Sequence, residues 1–285
     1  MNGTAELFRV LGALCEPPDR AHRPAIAALG LGGQASAAEH TELFVLQLPP
    51  YAAIYLGPEG MLGGEAGDRV AGFWRALQLV PSADADHLTA LLSLYAAVCE
   101  REEAETRPPV RALLHQARQA LLWEHLVSWV PAYGRAVETI GPPPYRAWAR
   151  LLVEVVTGEA RGLGPQPDLS AHLRQAPVLP GPDEGGGAWL SALLTPVRSG
   201  LILTRADLVR AGRLLGIGAR VGDRRLVLEA MLGQDPAGML RWLGTEADGW
   251  ARYHRQAEPA LGGVARFWAE RAETTAANLR VGCPG

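Results

Sequence analysis

Two short stretches hold the residue types that could do chemistry. LLWEHLVSWVP (Leu121–Pro131) sets His125 among two tryptophans, and ADADHL (Ala83–Leu88) sets Asp84, Asp86 and His87 together. An imidazole beside carboxylates can work as a general base or hold a metal ion. One reading is therefore a helical metal-assisted hydrolase with a site around Asp86, His87 and His125. The spacing speaks against it. The seven histidines are scattered, no HExxH pair occurs, and the order Asp86-His87 reverses the His-Asp pair that helical phosphohydrolases use. No GxSxG elbow is present, and no cysteine has a histidine neighbour. A plainer reading serves both stretches. An acidic pair before a helix is a cap, and a histidine among leucines is a core residue.

Composition removes further classes. All 27 basic residues are arginine. A phosphate-loop NTPase, a Schiff-base enzyme and a protein kinase each need a lysine amine, so none of them can operate here. A formal net charge of -3 offers no bulk attraction to nucleic acid phosphate. Gly30-Leu-Gly32-Gly-Gln-Ala35 matches a dinucleotide fingerprint on paper. It follows an alanine-rich run too short for a strand, with no acidic residue in a second strand about twenty residues on. Cys15, Cys99 and Cys283 lie far apart without a CxxC pair, which suits a reducing compartment. Glu6 and Arg9 make the N-terminal run amphipathic, a first helix and not a signal peptide. No stretch approaches the roughly twenty apolar residues of a membrane span. The expected location is the cytoplasm.

Apolar spacing is helical nearly throughout. Helices are expected over Glu6–Cys15, about Pro24–Leu29, Arg69–Leu79, from Pro81-Ser82 with Asp84 as N-cap, Val110–Val130, and Tyr145–Val156. Within Val110–Val130 the recurrence of Leu114, Leu121, Leu122, Leu126 and Trp129 puts His125 on the apolar face. From Arg161 to Gly187 the pattern collapses into Gly and Pro, including PGPDEGGG, and marks a linker. Beyond it, Thr204 with Asp207 forms a capping box closed by Gly216, Asp235-Pro236 starts another helix, and Thr245 with Asp248 starts a third. The expected organisation is thus residues 1–160, a linker at 161–187 and a further helical region at 188–285. Its aromatic pairs Trp242/Trp250 and Phe267/Trp268 read as core.

The order LFRVLGALCEPP, LPPYAAIYLGPEG, VAGFWRALQL, ADADHLTALLSLYAAV, HLVSWVP resembles the TorD family of redox-enzyme maturation chaperones, which includes DmsD and relatives of NarJ. The likeness spans roughly Glu6 to Val156. Of the family's acidic-Pro-x-Asp-His element, Asp86 and His87 match, while Ala83 and Asp84 stand where the acidic residue and proline often are. Of His-Leu-x-x-Trp-x-Pro, His125, Leu126, Trp129 and Pro131 all match. The resemblance implies an all-α, TorD-like helical bundle with an additional C-terminal helical region. It implies a non-enzymatic cytoplasmic binder of the apo catalytic subunit of a molybdopterin oxidoreductase and its twin-arginine leader. No cofactor would be held permanently, with transient contact to molybdopterin guanine dinucleotide during client maturation, and both monomers and homodimers are open. A leader with two guanidinium groups before an apolar stretch needs carboxylates at the lip of an apolar groove. Asp84 and Asp86 would supply the lip, and Tyr51, Trp74 and Trp129 the contact area, with His87 and His125 beside them. On this reading Asp86→Ala weakens leader binding and leaves the melting temperature nearly unchanged.

Overall fold

The computed structural model describes residues 3–166, 168–181, 186–219 and 222–281, and every regular element among them is helical. The chain is all-α, as the periodicity predicts. It divides into two units, residues 1–53 with 62–171 and residues 54–61 with 172–285. The boundary between 171 and 172 lies inside the Gly/Pro-rich stretch 161–187, and residues 54–61 are grouped with the second unit. Of PGPDEGGG, residues 182–185 lie outside the described residues, as does Cys283.

In chain order the first elements are α1 (Gly3–Ala13), α2 (Arg23–Ala28), α3 (Ala37–His40), a π-helical stretch Thr41–Gln47, α4 (Ala52–Leu56), α5 (Gly64–Ala76) and α6 (Leu88–Ala104). Then come α7 (Pro108–Leu122), a second π-helical stretch Trp123–Val127, α8 (Val130–Ile140) and α9 (Pro143–Leu163). Helix α1 buries Ala5, Phe8, Leu11 and Gly12, a helical stripe that lies along α6. Gly12 lets the two backbones approach. A Cβ there would sit 3.4 Å from Leu92 Cβ, and Thr89 Oγ1 donates to the Gly12 carbonyl at 3.0 Å. Phe8 meets the Tyr95 ring at 4.4 Å, and the buried Trp148 indole of α9 donates to the Leu11 carbonyl at 2.9 Å. Burying each such side chain stabilises by about 1.5–3 kcal/mol before entropy is counted.

Two helix starts differ from expectation. Helix α6 begins at Leu88, capped by His87, and not at Pro81-Ser82 under an Asp84 cap. The stretch Val110–Val130 is not one helix. Pro131 cannot sit in a helix interior, and it occupies the first turn of a new helix, α8. The join is made by the π-helical residues 123–127, by Ser128 Oγ donating to the Glu124 carbonyl at 2.8 Å, and by Trp129 leaving helical geometry at φ -142. The apolar-face assignment survives this break, since Leu121, Leu122, His125, Leu126 and Trp129 are all buried. A polar tie joins α6, α7 and α9: Tyr95 donates to Glu159 at 2.6 Å, and Arg118 reaches Tyr95, Glu102 and Glu159. Burial, then the Glu159 contact, raises the Tyr95 phenol far above its ordinary range.

The remaining helices are α10 (Ala171–Arg174), α11 (Gly186–Leu193), α12 (Pro196–Ser199), α13 (Arg205–Leu215), α14 (Arg224–Gln234) and α15 (Pro236–Val281), whose two arms meet at Gly262 (φ 52). The core of the second unit gathers Leu193, Leu208, Leu228, Met231, Met239 and Leu243. The Thr204/Asp207 capping box is present, and α13 ends at Gly216 with φ 68. No helix begins at Thr245. Its hydroxyl bonds back to the Arg241 carbonyl at 3.0 Å, and Asp248 pairs with Arg280, so α15 runs on through both. Trp242 and Trp268 are buried, and the ring of His254 lies between Trp250 and Trp268, stacked on both at 5.7 and 5.8 Å.

Candidate functional site

Asp84, Asp86, His87 and Tyr51 come together where the chain before α4 meets the chain before α6. An isolated antiparallel bridge pairs Tyr51 with His87, and the two rings meet edge-on at 4.8 Å. Asp86 is buried, and its carboxylate accepts the Ala53 N–H at 3.0 Å while its carbonyl accepts Ala52 N–H, also at 3.0 Å. It therefore caps α4 from 33 residues away. Removing that carboxylate leaves a buried donor unpaired, so Asp86→Ala is expected to cost about 1–2 kcal/mol of stability. The expectation of an unchanged melting temperature is corrected accordingly. Thermal melting of Asp86→Ala against Asp84→Ala checks this, because Asp84 is exposed and makes no such cap.

His87 Nδ1 accepts the Thr89 N–H at 3.2 Å, which requires that nitrogen to be unprotonated. Burial lowers the His87 pKa, against the opposing pull of Glu16, Asp84 and Asp86. Glu16 Oε1 stands 3.6 Å from the same nitrogen. With Nδ1 committed to the Thr89 cap, His87 presents no N–H to Glu16 from that nitrogen, and among the described residues no arginine pairs with Glu16 or Asp84. The Tyr51 phenol registers this negative surround: burial raises its pKa first, and Asp84, Asp86 and Glu16 add to it.

Beside Glu16 a small apolar cleft opens, lined by Leu14, Pro18, Ile26, Leu31, Tyr145 and Trp148. The hook over it, residues 16–35, turns through Gly30, Gly32 and Gly33, all at positive φ. Gln34 Nε2 ties the hook back to the Asp19 carbonyl at 2.5 Å, and His40 Nε2 lies 3.1 Å from the Cys15 carbonyl. The glycines serve a turn after α2, and no strand precedes them, so the fingerprint-like spacing has a purely conformational use.

His125 and Trp129 form a separate group. The Trp129 indole donates to the His125 carbonyl at 2.8 Å, His125 meets Phe73 of α5 edge-on at 5.2 Å, and Tyr133 donates to the Leu48 carbonyl at 3.2 Å. Trp129 is 0% exposed and His125 6%. Trp74 is half-buried on α5 with its indole nitrogen enclosed. Sequence reasoning passed over Glu16, since CEPP reads first as a helix stop, and over Glu124. The Glu124 carboxylate accepts Gln166 Nε2 and Ala171 N–H, both at 2.9 Å. No group of three or more His, Cys, Asp or Glu side chains arranged to hold a metal ion occurs among the described residues. No helix there is long and apolar enough to cross a membrane.

Residues 21–133 match the model of the family described as nitrate reductase delta subunit. That region is similar to the NarJ/TorD-like molybdoenzyme maturation chaperones. The delta-subunit family region takes in α2 to the start of α8, and with it Tyr51, Trp74, Asp84, Asp86, His87, His125 and Trp129. The family is one of chaperones and not of catalysts, and it implies interaction with a molybdoenzyme catalytic subunit. The matched span stops short of α9 and of residues 172–285. No curated protein matches the chain.

Proposed function

We propose that this protein is a cytoplasmic chaperone that binds the apo catalytic subunit of a molybdopterin oxidoreductase, takes up its twin-arginine leader, and holds the client open for cofactor insertion. The observation that carries this reading is the family match over the region that holds both sequence markers. The geometry supports it in one respect: the carboxylates of Glu16 and Asp84 stand without arginine partners around His87, beside an apolar cleft. A leader's guanidinium and apolar side chains are the complement of that arrangement. The mechanism is binding and release, with Asp86, His125 and Trp129 shaping the surface from beneath and Tyr51 and Asp84 at its edge. Contact with molybdopterin guanine dinucleotide would occur only through the client, during insertion.

Affinity purification from the native host under conditions that induce anaerobic or nitrogen-oxide respiration tests the proposal. The expected result is recovery of a molybdopterin oxidoreductase catalytic subunit, identified by mass spectrometry and depleted in cofactor relative to the mature enzyme. Recovery of only the cofactor-loaded enzyme, or of no such subunit, would count against it.

A further inference from the structure

Helix α5 lies over both marker groups. A Cβ added at Gly67 would stand 4.0 Å from the Asp86 carboxylate, and Phe73, further along the same helix, meets the His125 ring edge-on at 5.2 Å. Yet the helix is lightly held. Of its 13 residues only Ala66 and Val70 are buried, while Phe73 and Trp74 are half-buried. The enclosed Trp74 indole N–H finds no acceptor among the described residues, a cost that opening would relieve. No side chain caps the N-terminus, which enters through Gly63 (φ 76) and Gly64 (φ 68). Neither glycine has anything within 4 Å of an added Cβ, so both serve the turn and not a close approach. The other end is a Schellman turn, with Gln78 N–H donating to the Arg75 carbonyl at 2.9 Å and Leu79 N–H to the Trp74 carbonyl at 3.0 Å. Its left-handed residue, ordinarily glycine, is Gln78 at φ 60, the one non-glycine residue at positive φ among those described.

We infer that α5 is a lid, hinged at Gly63–Gly64 and at Gln78, whose opening uncovers Asp86 and His125 in one movement. The two marker groups, separate in the closed form, thus share a cover. Few buried side chains, an unpaired donor and a strained turn put the helix at the low end of local stability, where segments open without the rest of the chain unfolding. Thirteen residues make a marginal helix in water, so α5 melts as it leaves the surface beneath it, and its amides report the opening. Whatever partner the protein takes, Asp86 at 7% and His125 at 6% exposure are reached only through this movement.

Hydrogen exchange of the full chain, read by mass spectrometry at neutral pH, tests the lid in wild type, Gly64→Ala and Gln78→Gly. In wild type the amides of residues 67–76 are expected to exchange roughly a hundred-fold faster than those on the buried face of α6. Gly64→Ala, which forces a side chain into the left-handed region of the closed form, is expected to speed that exchange about five-fold. Gln78→Gly, which relieves the closed turn, is expected to slow it about three-fold. Carbethoxylation of His125 by diethyl pyrocarbonate, followed on the same proteins, should rise and fall in step with the exchange, while that of His254 in the second unit stays constant. Exchange of α5 at the rate of α6 would show that the helix opens only with the whole unit, and overturns the lid. So does a His125 reactivity that ignores both substitutions, since α5 would then fray without uncovering it. Exchange in Gln78→Gly that is faster than in wild type likewise overturns the inference.

Discussion

Gly200→Ala is expected to destabilise the second unit by about 2–5 kcal/mol. Two independent costs meet at this residue. Gly200 ends α12 at φ 76, in the left-handed region, where an L side chain pays roughly 1–2 kcal/mol. A Cβ there would also lie 2.9 Å from Ala272 Cα and from the Arg271 carbonyl carbon, in the backbone of α15. Backbone cannot swing aside as a side chain does, so α12 and α15 would have to separate. That separation would strain the buried bond from Thr275 Oγ1 to the Ser199 carbonyl at 2.7 Å. Gly216 supplies the control, since it too has positive φ (68) but nothing within 4 Å of its added Cβ. Denaturant unfolding followed by tryptophan fluorescence should show Gly200→Ala losing clearly more than Gly216→Ala. Equal losses would mean that the close approach to α15 contributes nothing.

The second large effect concerns acid. His254 is sandwiched between Trp250 and Trp268, and burial drives its pKa down to about 3. In the unfolded chain the same ring titrates near 6.5. Between those values the unfolded state holds a proton that the folded state refuses, so stability is complete above pH 6.5 and is lost as the pH falls. At about 1.4 kcal/mol per pH unit, roughly 2–3 kcal/mol is gone by the time the carboxylate range near 4.5 is reached. His87, whose pKa burial also lowers, acts with the same sign but is less enclosed. His254→Phe keeps the aromatic stack and removes the titration. Its melting temperature should fall clearly less from pH 7 to pH 5 than that of the wild type, His87 supplying the remaining decline; parallel curves would show that the His254 pocket admits the proton or water.

What the sequence conveyed depended on how locally each feature is determined. The Thr204/Asp207 box and the Gly216 stop were legible because donor, acceptor and turn lie within a dozen residues of one another. The start of α6 was not. Asp84 and Asp86 both look like caps, yet Asp86 is drawn to Ala53, far along the chain, and the cap falls to His87. Thr245 with Asp248 imitates a capping box, but the hydroxyl turns back to Arg241 and the carboxylate goes to Arg280 on the opposite arm of α15. The single helix expected over Val110–Val130 breaks at residues 123–129, ahead of Pro131 in the first turn of α8, a proline that apolar periodicity does not weigh. Of the site, the two markers were visible as residues, and their separation into a Tyr51/Asp86/His87 group and a His125/Trp129 group was not. Glu16 carried no signal of its own, because a carboxylate before two prolines reads as an end and not as a rim.

The assignment of residues 54–61 to the second unit has a consequence for the order in which the chain is made. A ribosome releases this short segment early and the rest of its unit more than a hundred residues later. Until then Tyr55 and Leu56, both buried in the finished protein, await partners, and the segment's surroundings are completed only when residues from 172 onward emerge. Neither unit is a contiguous stretch of chain. A cut at residue 171 would leave residues 54–61 on the wrong side, so it would not yield an intact half on either side.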